Sequence, residues 1–175
     1  MTLADLLAAL AVLGLVLTAT VTLLGQGQEL AARGAGRVEA QQHARVALAR
    51  LAAELRQAGQ GPGGGDWSPV SVAEPTRVVI HHDLDGDGAV DGRGETITWR
   101  LAGAVLRRDA GGGAQPVING VRALVLRYFD AAGRPTTIAA AVQMIEIELV
   151  TAPAAARPDR PAVARVATRV SLRNR

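Results

Sequence analysis

Apolar residues are spread along this chain in three different patterns. From Leu6 to Leu24 they run without a charge or a proline for nineteen residues. As a helix such a run is about 28 Å long, close to the ~30 Å of a bilayer core. It predicts a membrane-embedded helix. A cleaved secretory signal is the alternative, with Thr18-Ala19-Thr20 as small residues near a cut. Against it, no Arg or Lys precedes the run, and the run exceeds a usual signal core. Arg33 and Arg37 follow the span, and on charge alone they would favour a cytoplasmic C-terminus.

The second pattern is helical. In "QQHARVALARLAAELRQAG", Leu48, Leu51, Ala52 and Leu55 fall at i, i+3, i+4 and i+7. They predict one apolar stripe, with Arg45, Arg50, Glu54 and Arg56 off it. His43 reads as an exposed helix residue. Between the two helical stretches stand Gly25, Gly27, Gly34 and Gly36. Each weakens a helix by about 1 kcal/mol relative to Ala, which predicts a loosened segment and not a domain boundary. The expected organisation is residues 1–24 as a transmembrane helix, 25–58 as its amphipathic continuation and 59–68 as a Gly-rich linker.

From residue 69 to 175 the pattern alternates with period two. It predicts strands over 76–82, 95–101, 104–109, 120–130, 142–150 and 163–173, with a tight hairpin at Ala102-Gly103. Ile97, Trp99, Ile145, Ile147, Leu149, Val166, Val170 and Leu172 are the expected inward positions. Glu146 and Glu148 face outward, as do Arg165, Arg169 and Arg173, so pairing the last two strands would oppose unlike charges. The proline-rich stretch 151–162 predicts a crossing loop, and "GPGGG" and "GGGAQP" predict linkers. A helix followed by antiparallel strands is an α+β class.

Composition narrows the chemistry. The 175 residues contain no Cys, so no disulfide or thiolate metal site exists. All 19 basic residues are Arg, and the net charge is only +3. With two Trp, one Tyr and one Phe, there is little to stack on bases, so direct nucleic-acid binding is not expected. No Ser-His-Asp pattern, phosphate-cradling loop or HExxH stretch marks an enzyme. His81 and His82 are adjacent on a strand and point to opposite faces, so they do not form one site.

Two places carry candidate chemistry. One is Asp5, a carboxylate one turn into an apolar helix. Such a group either needs a partner or sits at the headgroup level and caps the helix. The other is the acidic loop 83–95, "DLDGDGAVDGRGE", which holds five of the chain's sixteen acids. Asp83, Asp85 and Asp87 alternate, and Gly88 stands where an EF-hand loop turns sharply. On that register Ala89 offers its carbonyl and Asp91 is the ninth position. Gly94 occupies the twelfth, and Glu95 comes one residue late. These hard oxygen donors suit Ca²⁺ better than zinc or Mg²⁺. A solvated Asp-Gly turn is the alternative.

The stretch "MTLADLLAALAVLGLVLTA" resembles the mature N-terminus of type IV pilins and type II secretion pseudopilins. Thr2, Leu3, Leu6 and Leu7 match that pattern in place. Asp5 stands where the family has Glu, and Met1 where it usually has Phe. "LARLAAELRQAG", the central region 83–133 and the closing "VSLRNR" are similar to PilW/PulJ-type minor pilins. The resemblance implies a long N-terminal helix packed on a sheet. It implies processing at Met1 by a prepilin peptidase that also methylates, and pairing of Asp5 with a neighbouring subunit's α-amino group. Its expected partners are other pilin or pseudopilin subunits, and its expected location is the inner membrane, single-pass, with the globular domain in the periplasm or outside. Two other functions stay open: a membrane-anchored calcium-binding module that never polymerises, and a secreted enzyme cut near Ala19.

Overall fold

A computed structural model describes residues 2–62, 65–153 and 163–174. Met1 and most of the stretch 151–162 lie outside them. The chain is α+β: one long helix, α1 (Leu3–Gln57), then eight strands. They are β1 (Val70–Glu74), β2 (Arg77–His81), β3 (Thr96–Ala102), β4 (Val105–Asp109), β5 (Gln115–Ile118), β6 (Val121–Phe129), β7 (Met144–Thr151) and β8 (Ala164–Ser171).

Contacts divide the chain into two compact units, residues 1–36 and 37–175. In the first unit, α1 runs through Gly25, Gly27 and Gly34 without interruption. Its apolar side chains are exposed, among them Leu6, Leu10, Leu13, Leu17 and Leu24. Thr18, Thr20 and Thr22 each give their hydroxyl to the carbonyl four residues back, at 2.8 Å. Such back-bonding removes their polarity from the helix surface, as an apolar environment requires.

In the second unit, β1-β2-β3-β4-β5 form one antiparallel sheet and β6-β7-β8 another. The predicted stripe of α1 is the part that packs: Leu48, Leu51, Ala52 and Leu55 are buried, joined by Ala44 and Ala47. They share one core with Trp99 and Ile80 of the first sheet and Ile145, Ile147 and Leu149 of the second. Burying each of these large side chains contributes roughly 1.5–3 kcal/mol. The sheets are stitched at β6. Its Tyr128 hydroxyl donates to the Glu74 carbonyl at 2.7 Å, and the Leu126 N–H donates to the Pro75 carbonyl at 2.8 Å. Burial pushes the Tyr128 phenol upward.

On the outer face of the second sheet, Glu146 pairs in register with Arg127 on one side and Arg169 on the other. Both guanidinium groups hydrogen-bond its carboxylate, at 2.8 and 2.7 Å. The unlike charges of the last two strands therefore do meet.

The six expected strands lie within about two residues of the observed ones. Two strands, β1 and β5, were not expected. Gln115 and Pro116 open β5, so "GGGAQP" is a linker only as far as Ala114.

Helix α1 ends where four parts of the unit converge. Gly59 takes a φ of +81° and donates its N–H to the His81 carbonyl at 2.8 Å. A Cβ there would lie 1.9 Å from the Asn174 carbonyl oxygen. Next, the Gln60 carbonyl accepts the Asp83 N–H at 2.8 Å. The first linker residues, Gly59 and Gln60, are thereby fixed against β2 and the start of the acidic loop.

Candidate functional site

The acidic loop leaves β2 at His82 and returns at β3. Asp83 is buried and shapes the turn. Its Oδ1 accepts the Gly86 N–H at 2.6 Å, and its Oδ2 accepts the Gly88 N–H at 3.0 Å. Asp85 accepts from Asp87 N at 3.2 Å, and Asp87 accepts from Ala89 N at 2.8 Å. Asx turns of this kind are what Asp-Gly stretches favour. Gly86 and Gly88 adopt φ values of +82° and +85°, which bends the chain back over its own carboxylates.

The result gathers Asp83, Asp85 and Asp87. One carboxylate oxygen from each lies within 4.8 Å of the others. Asp91 is exposed and is not one of this group, and Ala89 is half-buried. Glu95 is 2% exposed. Its Oε1 accepts the N–H groups of Leu84 and Asp85 at 2.9 and 3.4 Å, and its Oε2 accepts that of Gly92 at 2.7 Å. It braces the two ends of the loop and is not one of the three grouped carboxylates. The Asp87 N–H bond draws the Asp85 carboxyl down. Burial and repulsion from Asp87, Glu95 and Asp83 outweigh it, and the net direction is upward. A cation among these oxygens would reverse that repulsion.

Gly61 and Gly65 of the linker lie beside the loop. A Cβ on Gly61 would lie 2.8 Å from Asp83 Cβ. A Cβ on Gly65 would lie 2.2 Å from Trp67 Nε1 and 2.3 Å from the Gly88 carbonyl. The Trp67 indole thus stands against the turn. Its Nε1 is buried with no hydrogen-bond partner among the described residues.

His81 and His82 do face opposite ways: His82 is buried, and His81 lies at the surface between two hydroxyls. Sequence reasoning missed those hydroxyls, Ser71 and Thr96, which strand pairing alone brings to His81. It also missed Glu54 as an acceptor in the helix–sheet contact. Its spacing marks it only as off the stripe.

At the N-terminus, Asp5 and Thr2 cap α1 reciprocally. The Thr2 N–H donates to Asp5 Oδ2 at 2.8 Å, and the Asp5 N–H donates to Thr2 Oγ1 at 3.3 Å. This is a capping box with Asp in place of Glu. Met1, the expected processing position, lies outside the described residues.

A scan against protein-family models finds no match for this chain, and a search of curated proteins finds no similar sequence.

Proposed function

We propose that the chain is a minor pilin or pseudopilin, a structural subunit of a type IV pilus or a type II secretion pseudopilus, acting in filament initiation or assembly. One observation carries this reading. A single helix has an apolar N-terminal part with no buried residue, and a C-terminal part that belongs to the core of an antiparallel sheet unit. An apolar helix surface of that length calls for lipid or for sister helices. Asp5 is the only charge before Glu29. A carboxylate carried into an apolar bundle must be paired, and the α-amino group of a neighbouring subunit is a partner that leaves water with it. In this chain the carboxylate caps α1 through the Thr2 N–H, so pairing in a filament would add to or replace that bond.

On this reading a prepilin peptidase and methylase process the terminus. The subunit waits in the inner membrane as a single-pass protein, with the globular domain in the periplasm or outside, before entering the filament. The acidic loop holds Ca²⁺ through Asp83, Asp85 and Asp87; the Ala89 carbonyl, Asp91 and Glu95 become further oxygens only if the loop closes around the ion, because Glu95 now accepts backbone amides. The all-oxygen donor set fits that ion. Bound Ca²⁺ would fix a long surface loop in one shape and stabilise the unit by mass action.

The convergence of three carboxylates favours a second reading, a membrane-anchored calcium-binding module that does not polymerise. Intact mass and N-terminal fragmentation of the protein from its own membranes separate the two. An N-methylated terminus at Met1 is the expected result. A formylated or plain initiator Met1 would favour the second reading.

A further inference from the structure

On the outer face of the five-stranded sheet, side chains from three successive strands form one hydrogen-bonded line. His81 Nε2 lies 2.7 Å from Ser71 Oγ, and His81 Nδ1 lies 2.9 Å from Thr96 Oγ1. Thr96 gives its own hydroxyl proton to the Val90 carbonyl at 3.0 Å. A hydroxyl has one proton, so Thr96 Oγ1 must accept from His81. The imidazole proton is therefore on Nδ1. The Nε2 lone pair faces Ser71, whose O–H is the donor. This is the order nucleophile, base, orienting acceptor.

Strand geometry builds the line. His81 and Thr96 are direct partners across β2 and β3. Pairing of β1 with β2 shifts between Val70↔Ile80 and Val72↔Val79, which leaves Ser71 as the extra residue of a bulge. Bulges re-aim side chains. This one presents Ser71 to His81 on the outer face and leaves it exposed.

We propose that Ser71 is a nucleophilic modification site for small activated esters, with His81 as its general base and Thr96 as a positioning residue. In the step, Ser71 Oγ forms a bond to the carbonyl carbon or phosphorus of the reagent. The bond to the leaving group breaks. The Ser71 proton passes to His81 Nε2 and from there to the departing anion. The expected product is one acyl or phosphonyl group per chain. Thr96 is neutral, so it sets the tautomer without the charge stabilisation that a carboxylate would add. The proposal does not depend on filament assembly or on the acidic loop binding a metal.

The test uses the full chain in detergent micelles, a fluorophosphonate probe and peptide mass spectrometry. Ser68 and Ser171 are the chain's only other serines and serve as internal references. Ser71 is expected to label at least about tenfold faster than either, an advantage that a general base provides and that disappears in urea. His81→Gln is expected to bring Ser71 down to the rate of the references. Thr96→Val should slow it several-fold, and Thr96→Ser should restore it, which a merely structural role would not require. Equal labelling of the three serines in the folded wild-type chain would overturn the proposal. So would an undiminished Ser71 rate in a folded His81→Gln variant.

Discussion

Glu54 of the helix receives the indole N–H of Trp99, at 2.7 Å, from a ring that is 0% exposed. The same carboxylate receives Arg108 Nε at 2.8 Å. One acidic side chain thus satisfies the indole donor of a fully buried ring and compensates the charge of an arginine beside it. Truncating one partner of such a network leaves the others stranded, which costs more than the bond itself contributes. Glu54→Ala is expected to destabilise the sheet unit by about 2–4 kcal/mol. Glu54→Gln keeps an acceptor for the indole and should cost less. Thermal unfolding of the full chain in micelles, followed by tryptophan fluorescence, checks both. An unchanged midpoint for Glu54→Ala would show that the contact carries no weight.

Gly59 cannot be replaced by Ala without displacing the C-terminal segment. Its φ is +81°, and a Cβ would meet the Asn174 carbonyl at 1.9 Å. Left-handed backbone alone costs a non-Gly residue roughly 1 kcal/mol, and the clash adds to it. Gly59→Ala is expected to lower the unfolding midpoint clearly. Gly103→Ala, which also has positive φ but open space around its Cβ, should cost less.

The Glu146 carboxyl is held below the ordinary glutamate range by the hydrogen bond from Arg169 and then by that from Arg127. Its folded-state pKa is therefore depressed. The stability it contributes is complete above the unfolded value of about 4.3 and is lost as pH falls through the lower folded value. Glu146→Gln should flatten the fall of the unfolding midpoint across that acid window. Added salt should weaken the wild-type effect, because the pair is open to solvent. An acid profile identical to wild type would remove Glu146 from the account.

Calcium should stabilise the loop. At a concentration a hundredfold above its dissociation constant, it should add about 2.7 kcal/mol. Chelation should reverse this. Terbium, a calcium mimic, should be sensitised by Trp67, which stands against the turn. Asp85→Asn and Asp87→Asn should weaken both effects. Asp83 is less informative, since its carboxylate also holds the Gly86 and Gly88 amides. A midpoint unmoved by millimolar Ca²⁺ would leave only an Asp-Gly turn.

Most of this architecture could be read from residue spacing. Leu48, Leu51, Ala52 and Leu55 announce a packed helix face because burial imposes the 3.6-residue period directly. Ile145, Ile147 and Leu149 announce a strand in the same way. Strand β5 escaped because Gln115–Ile118 is four residues long, contains Pro116 and buries none of them completely, so no alternation is imposed. Strand β1 escaped because it is five residues long and carries a bulge, which breaks its period. In the acidic loop the ligand-type spacing was legible, but the part played by Glu95 was not. That role comes from the loop closing on itself, which brings residue 95 to the amides of residues 84 and 92. The Ser71–His81–Thr96 line was hidden for a related reason: it depends on register between three strands, which no local pattern encodes.

If the chain assembles as proposed, residues 6–24 form a packing surface directed by Asp5. The chain contains no native Cys, so single cysteines placed along this segment report only on that surface. The most direct measurement is oxidative cross-linking of such variants in native membranes, with and without Asp5→Ala. Cross-linked species confined to particular helix positions, lost in Asp5→Ala and retained in Asp5→Glu, are the predicted result. Monomer at every position, or cross-linking indifferent to Asp5, would contradict it.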